Sequence, residues 1–588
     1  MGFRSPANLS DDFIPSDSET FEIKISLSER LTKLAEINAQ VQELECQRQA
    51  LLDERSALSS DIQKLRGFIS LTRRGQIPDD ILREIFFRCL PTNHDAIMHS
   101  REPPVLLTRI CAGWRQLALS TPRLWASIHL PIPSLPHAPT PALHGAPYAL
   151  TPTDIASLPQ EQFFELSAAM TRRAEGVKEW LLRSMDCPTS VTIISRDYNG
   201  FNPFCVLMLN AILPFRSRWE KMTIVSMKPH LAPLRGLSAS ELPLLRKFEY
   251  DEVPSDPNVP EDDLQGFDVL DFLSTSSLRK LSVKRVRENI SCLPVQWASL
   301  SSLTLHLNFQ PNDMTAMIGL LQQCLHLKTC SIVVQRYGGD NFPFPVSNSS
   351  IQYSAIPVTL QYLETFVITV RGESNYPAAF DSLIMPNLRH LEFQWACYPG
   401  TPLRSLLAHS GQTLRVLNTS ASGCSDDDFI AALRHCPHVT HFHGPLHGAL
   451  VPAPLPEYRT PIDITDQFLE LMSTPDEHGQ ILLPEVEFFD CLSNMVSFTD
   501  EALIKFIRKK QAGVVLGLSK LKEISIRFSR PQLKPIAELL KPYIEDGLIV
   551  KLSYLEPFSK NTLPSAYAFA ESPSIYFSSE PMPPSELY

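Results

Sequence analysis

The sequence predicts an α+β multi-domain protein: a long N-terminal helix, a small all-α module, and an irregular α/β solenoid over the remaining two thirds. Three observations carry this expectation. An apolar seven-residue repeat runs from Leu27 to Ile69, two short apolar stripes lie between Pro78 and Leu119, and an apolar-x-x-apolar motif recurs from Val191 onward.

Composition excludes several classes. The 588 residues carry 64 acidic and 53 basic groups, a formal charge of −11, which argues against a surface built to neutralise nucleic-acid phosphates. No apolar run approaches the ~20 residues needed to span a bilayer, and the N-terminus lacks the apolar core of a secretory signal, so no membrane partner is expected. The 12 cysteines are scattered without a C-x-x-C pair, which fits a reducing compartment, cytoplasmic and/or nuclear.

Residues 1–26 are polar and acidic and are expected to be disordered. Residues 27–72 read as a coiled-coil-type helix. In one frame Leu27, Leu34, Val41, Arg48, Arg55, Ile62 and Ile69 fall at a, and Arg30, Ile37, Leu44, Leu51, Leu58 and Leu65 at d. Such a seam is buried only against another helix. A second copy of the chain, giving a homodimer through residues 27–69, and a fold-back onto the same chain both satisfy it. Arg48 and Arg55 must snorkel or find carboxylates, for which Glu45 and Glu54 are placed.

The next module spans residues 76–130. Pro78 suits the first helical position and Asp79 with Asp80 suit the positive end of the helix dipole. Ile81, Leu82, Ile85 and Phe86 then form an apolar stripe that ends before Pro91. After a polar loop from Thr92 to Pro104, a second helix is expected over Val105–Leu119, with Leu107, Cys111, Trp114 and Leu117. Thr121-Pro122-Arg123-Leu124-Trp125 stops it.

The strings IPDDILREIF, CAGWRQLAL and TPRLW resemble the F-box, and look most like the expanded fungal F-box-like family, in which a heptad helix often precedes the module. The resemblance covers about 50 residues. It departs in the loop 92–104, which is longer than in compact F-boxes. It implies docking on the Skp adaptor of a cullin ligase scaffold. Ile77, Pro78, Ile81, Leu82, Ile85, Phe86, Leu107, Cys111, Trp114, Leu117, Leu124 and Trp125 would supply apolar surface there. Pro78 and Leu82 are the better interface candidates, and Trp114 and Trp125 the better core candidates.

Residues 131–159, with eight prolines, read as a linker. Over 160–555 the motif appears at Val191-Ile194, Trp219-Met222-Ile224, Leu245-Phe248, Leu278-Leu281-Val283, Leu300-Leu303-Leu305, Leu327-Cys330-Ile332, Leu363-Phe366-Ile368, Leu388-Leu391-Phe393, Leu414-Leu417, Val439-Phe442, Val486-Phe489 and Leu521-Ile524-Ile526. Each copy reads as one strand with a return helix, as over Met314–Cys324 and Asp426–Cys436, and stacking would make a continuous core. This region resembles leucine-rich repeats weakly. The position that should hold Asn is Asn308 in one copy and Val286, Arg371, Ala396 or Ser422 elsewhere. Residues flanking the buried positions would form a concave protein-binding face, with Lys280, Lys284, His306, His390, Glu392, Gln394, Glu523 and Arg527 as target-binding candidates. A Pro-rich insertion at 444–461 and a tail at 556–588 read as flexible.

Little in the chain suggests chemistry. His441 and His443, beside Cys436 and Cys424, share a strand face but fit no zinc spacing, so no metal or cofactor is expected. Ser425-Asp426-Asp427-Asp428 reads as a helix cap. The basic run from Lys505 to Lys510 reads as a solvated helix face. No phosphate loop, nucleophile elbow or HExxH occurs. The expectation is a non-enzymatic adaptor with an unknown target protein. A repeat-based scaffold that self-associates through the heptad helix is the rival.

Overall fold

The computed structural model describes residues 16–68, 77–135, 160–197, 201–253, 270–286, 293–308, 313–335, 357–371, 381, 383–396, 402–422, 424–444, 464–491, 496–513, 515, 517–528 and 530–554. Residues 1–15, the linker from 136 to 159, insertion residues 445–461 and the tail 556–588 lie outside them. The chain divides into two compact units, one of residues 1–90 and 99–121, the other of residues 91–98 and 122–588.

The first unit holds α1 (Asp17–Phe68), α2 (Asp79–Arg88), α3 (Leu107–Ile110) and α4 (Ala112–Leu119). α1 begins inside the stretch expected to be disordered. A local capping box explains this: Ser16 N–H donates to Glu19 Oε2 at 2.9 Å while the Glu19 amide donates to Ser16 Oγ at 3.5 Å. α2 follows an extended Pro78, carries Asp79 and Asp80 in its first turn, and buries Leu82 and Phe86.

The expected second helix is broken in two. Cys111 is extended (φ −156°), and its Sγ accepts the Trp114 amide at 3.4 Å, so it caps α4. Arg115 Nε reaches back 2.8 Å to the Thr108 carbonyl and satisfies the end of α3. Leu107 before the break and Leu117 and Ala118 after it are buried, so the inward side of the segment continues through the break.

The second unit is built on parallel strands: β1 (Ser127–Pro131), β2 (Thr189–Ile194), β3 (Trp219–Ser226), β4 (Lys247–Glu252), β5 (Lys280–Val286), β6 (Ser302–Asn308), β7 (Thr329–Gln335), β8 (Val358–Thr359), β9 (Thr365–Arg371), β10 (Leu383–Ile384), β11 (His390–Ala396), β12 (Val416–Ser422), β13 (His441–His443), β14 (Phe488–Cys491), β15 (Glu523–Arg527) and β16 (Ile549–Ser553). Fourteen of them form one sheet in strict chain order, while β8 and β10 pair separately.

The register explains the repeating motif. Val191, Met222, Phe248, Leu281, Leu303, Cys330, Phe366, Leu391, Leu417, Phe442, Phe489 and Ile524 lie side by side, all buried. The residues two further on make a second buried row, and the preceding leucines, such as Leu278, Leu300 and Leu363, are buried beneath the sheet. Apolar rows of this kind let each strand bury its inward side chains against its neighbours'. In β2 the inward pair is Val191 and Ile193, so the frame ending at Ile194 is off by one residue.

Helices cover some returns: α5 (Gln160–Arg183), α6 (Pro203–Ile212), α7 (Asp313–Leu321), α8 (Leu403–Ser410), α9 (Asp426–Leu433), α10 (Asp466–Leu471) and α11 (Asp500–Ala512), with α12 (Ile536–Leu539) and α13 (Lys541–Glu545) before β16. One return helix per strand does not hold, since the described connections before β4, β5 and β6 carry only 3-10 turns. Pro233 inside one of these turns and the short spacing before β6 leave little room for a helix.

Residues read as F-box loop and linker contribute to this unit. Ile97 bridges His129, the His129 amide donates to the Ala96 carbonyl, and Asp95 Oδ2 accepts from Ser190 Oγ (3.1 Å) and Thr192 Oγ1 (2.7 Å). The length of loop 92–104 is thereby explained, because part of it covers the β1 edge. Beyond β1, the Ile132 amide donates to Ile194, and Leu135 donates to Asp197 Oδ2.

Candidate interaction surfaces

Around α2 to α4, inside and outside separate clearly. The Phe86 and Trp114 rings meet at 4.7 Å, and Leu82, Leu107 and Leu117 are buried. Left open are Pro78, Ile81 (50% exposed) and Ile85 on α2, Leu106 and Ile110 (48%) at α3, and Leu119 on α4. Ile81 with Ile85 and Leu106 with Ile110 are i, i+4 pairs, so each makes a continuous apolar strip. Ile77 and Cys111 are half-buried. Of the two best interface candidates, Pro78 is open and Leu82 is inside.

Leu124 and Trp125 lie in the other unit. A 3-10 turn, Pro122–Trp125, leads into β1. Trp125 is buried, edge-on to Trp180 of α5 at 4.7 Å, and Arg183 stacks over its ring at 5.0 Å. Trp180 Nε1 donates to the Ser127 carbonyl at 3.1 Å. These residues therefore build the start of the sheet.

On the open side of the sheet the alternate rows are mostly polar. Lys221, Lys247 and Lys280 run together, followed by Ser302, Thr329 and Thr365, then His390, Val416 and His441. Among the eight candidates, Lys280, Lys284 and His306 share β5 and β6, and Asp251 of β4 stands opposite Lys284. Burial, then Lys284, holds His306 down at about 4. His390, Glu392 and Gln394 share β11, three strands on, about 14 Å away at ~4.8 Å per strand. Gln394 Nε2 donates to Glu392 Oε1 at 2.8 Å. Glu523 and Arg527 lie four strands further, about 19 Å, with Glu523 paired to Lys551. The candidates thus form three separate groups along one face.

Sequence reasoning missed a row joining the later strands. Glu392, Asn418, His443 and Asp490 are register neighbours on β11 to β14. Asn418 Oδ1 and Asp490 Oδ1 are buried without a hydrogen-bond donor, and His443 Nδ1 lies 3.3 Å from Asp490 Oδ2. The period of two in the copies at Leu417, Phe442 and Phe489 already places each of these residues one position after the inward one.

The histidines of this region have separate partners. His438 Nδ1 meets Glu485 at 2.7 Å, and His441 stacks on Phe488 at 4.1 Å. Burial raises the Cys436 and Cys424 thiols to about 12, so neither offers a thiolate. No group of three or more ligating side chains converges among the described residues. Ser425 Oγ accepts the Asp428 amide, which accounts for the acidic cluster as a cap.

The basic run on α11 is only partly solvated. Lys505 pairs with Glu470, and Lys509 donates to Thr474, but Lys510 is fully buried, its ammonium donating to the Pro484 and Val486 carbonyls. Helical rotation carries Lys510 to the side of Leu503 and Ile507, facing the core.

No helix among the described residues is long and apolar enough to cross a membrane. No family model matches the chain, and no curated protein matches it.

Proposed function

We propose that this protein is the substrate-recognition adaptor of a Skp–cullin–F-box ubiquitin ligase, with no catalytic role, acting in the cytoplasm and/or nucleus. The α2–α4 segment would dock on the Skp adaptor. The sheet unit, taken as an irregular leucine-rich-repeat-like solenoid, would hold the target on its open polar face. The observation that supports docking most directly is the pair of uncovered strips, Ile81 with Ile85 and Leu106 with Ile110, around a closed Phe86–Trp114 interior. Burying one such side chain is worth roughly 1.5–3 kcal/mol, so a few anchors suffice. Strict chain order and in-register buried apolar rows support the repeat reading.

Rate enhancement on this reading comes from proximity: a target held on the sheet gains effective concentration near the ubiquitin donor. The test is co-expression with a Skp adaptor and affinity capture of the full chain. Wild-type protein is expected to retain the adaptor, and an Ile81→Asp, Ile85→Asp variant to lose it while keeping its sheet intact by circular dichroism. Equal capture by both would remove this docking surface. The alternative, a scaffold that self-associates through α1 without joining a ligase, is favoured by the uncovered α1 seam and predicts oligomers with no adaptor bound.

A further inference from the structure

The seam of α1 has no cover among the described residues. Leu27, Leu34, Ile37, Val41, Leu44, Leu51, Leu58, Ile62 and Leu65 are each 48–65% exposed along one continuous helix of 52 residues. A stripe that long is not stable in water by itself. Two arginines in its middle determine what can cover it.

In a parallel pair with aligned heptads, each a residue faces its own copy. Arg48 would meet Arg48 beside Gln47 of the second helix, and Arg55 would meet Arg55 beside Glu54, so two layers of facing like charges would stand in the middle of the seam. Antiparallel pairing sets a against d. With the two-fold axis between Gln49 and Ala50, Leu34 faces Leu65, Ile37 faces Ile62 and Val41 faces Leu58, while Arg48 and Arg55 face Leu51 and Leu44. Each Arg55 then lies within one residue's rise, about 1.5 Å along the axis, of Glu45 on the second helix. Sliding the antiparallel pair by one heptad keeps the same number of apolar layers but adds Arg30 opposite Ile62, so more arginines enter the seam.

We propose that two copies of this chain associate through α1 as an antiparallel coiled coil, with Arg55 of each copy paired to Glu45 of the other. The proposal names the orientation and partner of the self-association reading and does not depend on ligase docking. The C-terminal ends of the two helices then lie about 55 Å apart, since Phe68 of one is level with Leu31 of the other at ~1.5 Å per residue. Whatever each copy carries beyond α1 is attached at opposite ends of the pair.

The test uses the full chain with its exposed Cys46 and Cys89 changed to Ser. Leu34→Cys and Leu65→Cys are introduced singly and together, treated with a short bis-maleimide, and the linked peptides identified by mass spectrometry. The double variant is expected to give a covalent dimer through a 34-to-65 linkage, and neither single variant a linkage to itself. A 34-to-34 or 65-to-65 linkage, or a monomer by light scattering at micromolar concentration, would overturn the proposal. Charge reversal provides a second measurement that spares the apolar seam. Arg55→Glu is expected to raise the dimer dissociation constant by about tenfold, and adding Glu45→Arg to restore it. Absence of that rescue counts against the pairing even where a dimer persists. Adaptor capture is scored separately, so loss of either property leaves the other readable.

Discussion

His230 gives the sharpest quantitative test. It sits fully buried after β3, and its Nε2 accepts the Asn202 amide at 2.8 Å, while Asn202 Oδ1 caps α6 and its Nδ2 donates to the Pro133 carbonyl. The imidazole must therefore be unprotonated at Nε2, and burial lowers its pKa from 6.5 to about 4, against the opposing pull of Asp197. Folding weakens its hold on a proton, so its contribution to stability is complete above about pH 6.5 and is lost as the pH falls toward 4. At pH 4 that loss is ~3 kcal/mol, about a hundredfold in the local opening equilibrium. His230→Gln keeps an acceptor for Asn202 without titrating. Hydrogen exchange at the Asn202 amide, corrected for intrinsic rates, should lose about a hundredfold protection in wild type between pH 7 and pH 4 relative to the variant. Equal acid sensitivity in the two proteins would refute the placement of this proton.

Further outcomes follow from buried contacts at three residues. Trp125→Ala, which empties the site against Trp180, should cost ~3–5 kcal/mol and lower amide protection in β1 and β2; protection lost only in α2 and α4 would contradict its place in the sheet. Lys510→Met leaves the Pro484 and Val486 carbonyls without their donor and should cost ~1–3 kcal/mol in urea denaturation at pH 7. Because burial brings the Lys510 pKa down to about 7, with Glu487 opposing, wild-type stability should also rise between pH 7 and 10 by an increment the Met variant lacks. At Asp500 burial is outweighed by hydrogen bonds from Arg530 and the Leu533 and Lys534 amides, which lower its pKa. Asp500→Asn should therefore cost ~3 kcal/mol or more at pH 7, with the deficit shrinking as acid protonates the wild-type carboxyl. Thermal melts at pH 7 and pH 3 check this.

Some features were legible because they repeat or act locally. An inward apolar residue every other position is a property of each strand taken alone, so the copies from Trp219 to Ile526 could be found without knowing their neighbours. The break at Cys111 and the start of α1 at Asp17 were harder. Both depend on one capping interaction, and the Ser16-x-x-Glu19 signature was present but lay in a stretch dominated by its acidic composition.

Local sequence by itself determined the inward positions of each strand, the long amphipathic α1 and the apolar stripes near residues 82 and 114, because each follows from side-chain period over a few turns or residues. Only the tertiary structure decided that Asp95 to Ile97 and Leu124 to Leu130 build the first edge of the sheet, that Lys510 is inside, and that Glu392, Asn418, His443 and Asp490 stand in one line. Those facts rest on hydrogen bonds and packing between residues tens of positions apart, such as Asp95 with Thr192, whose partners no short window of sequence contains.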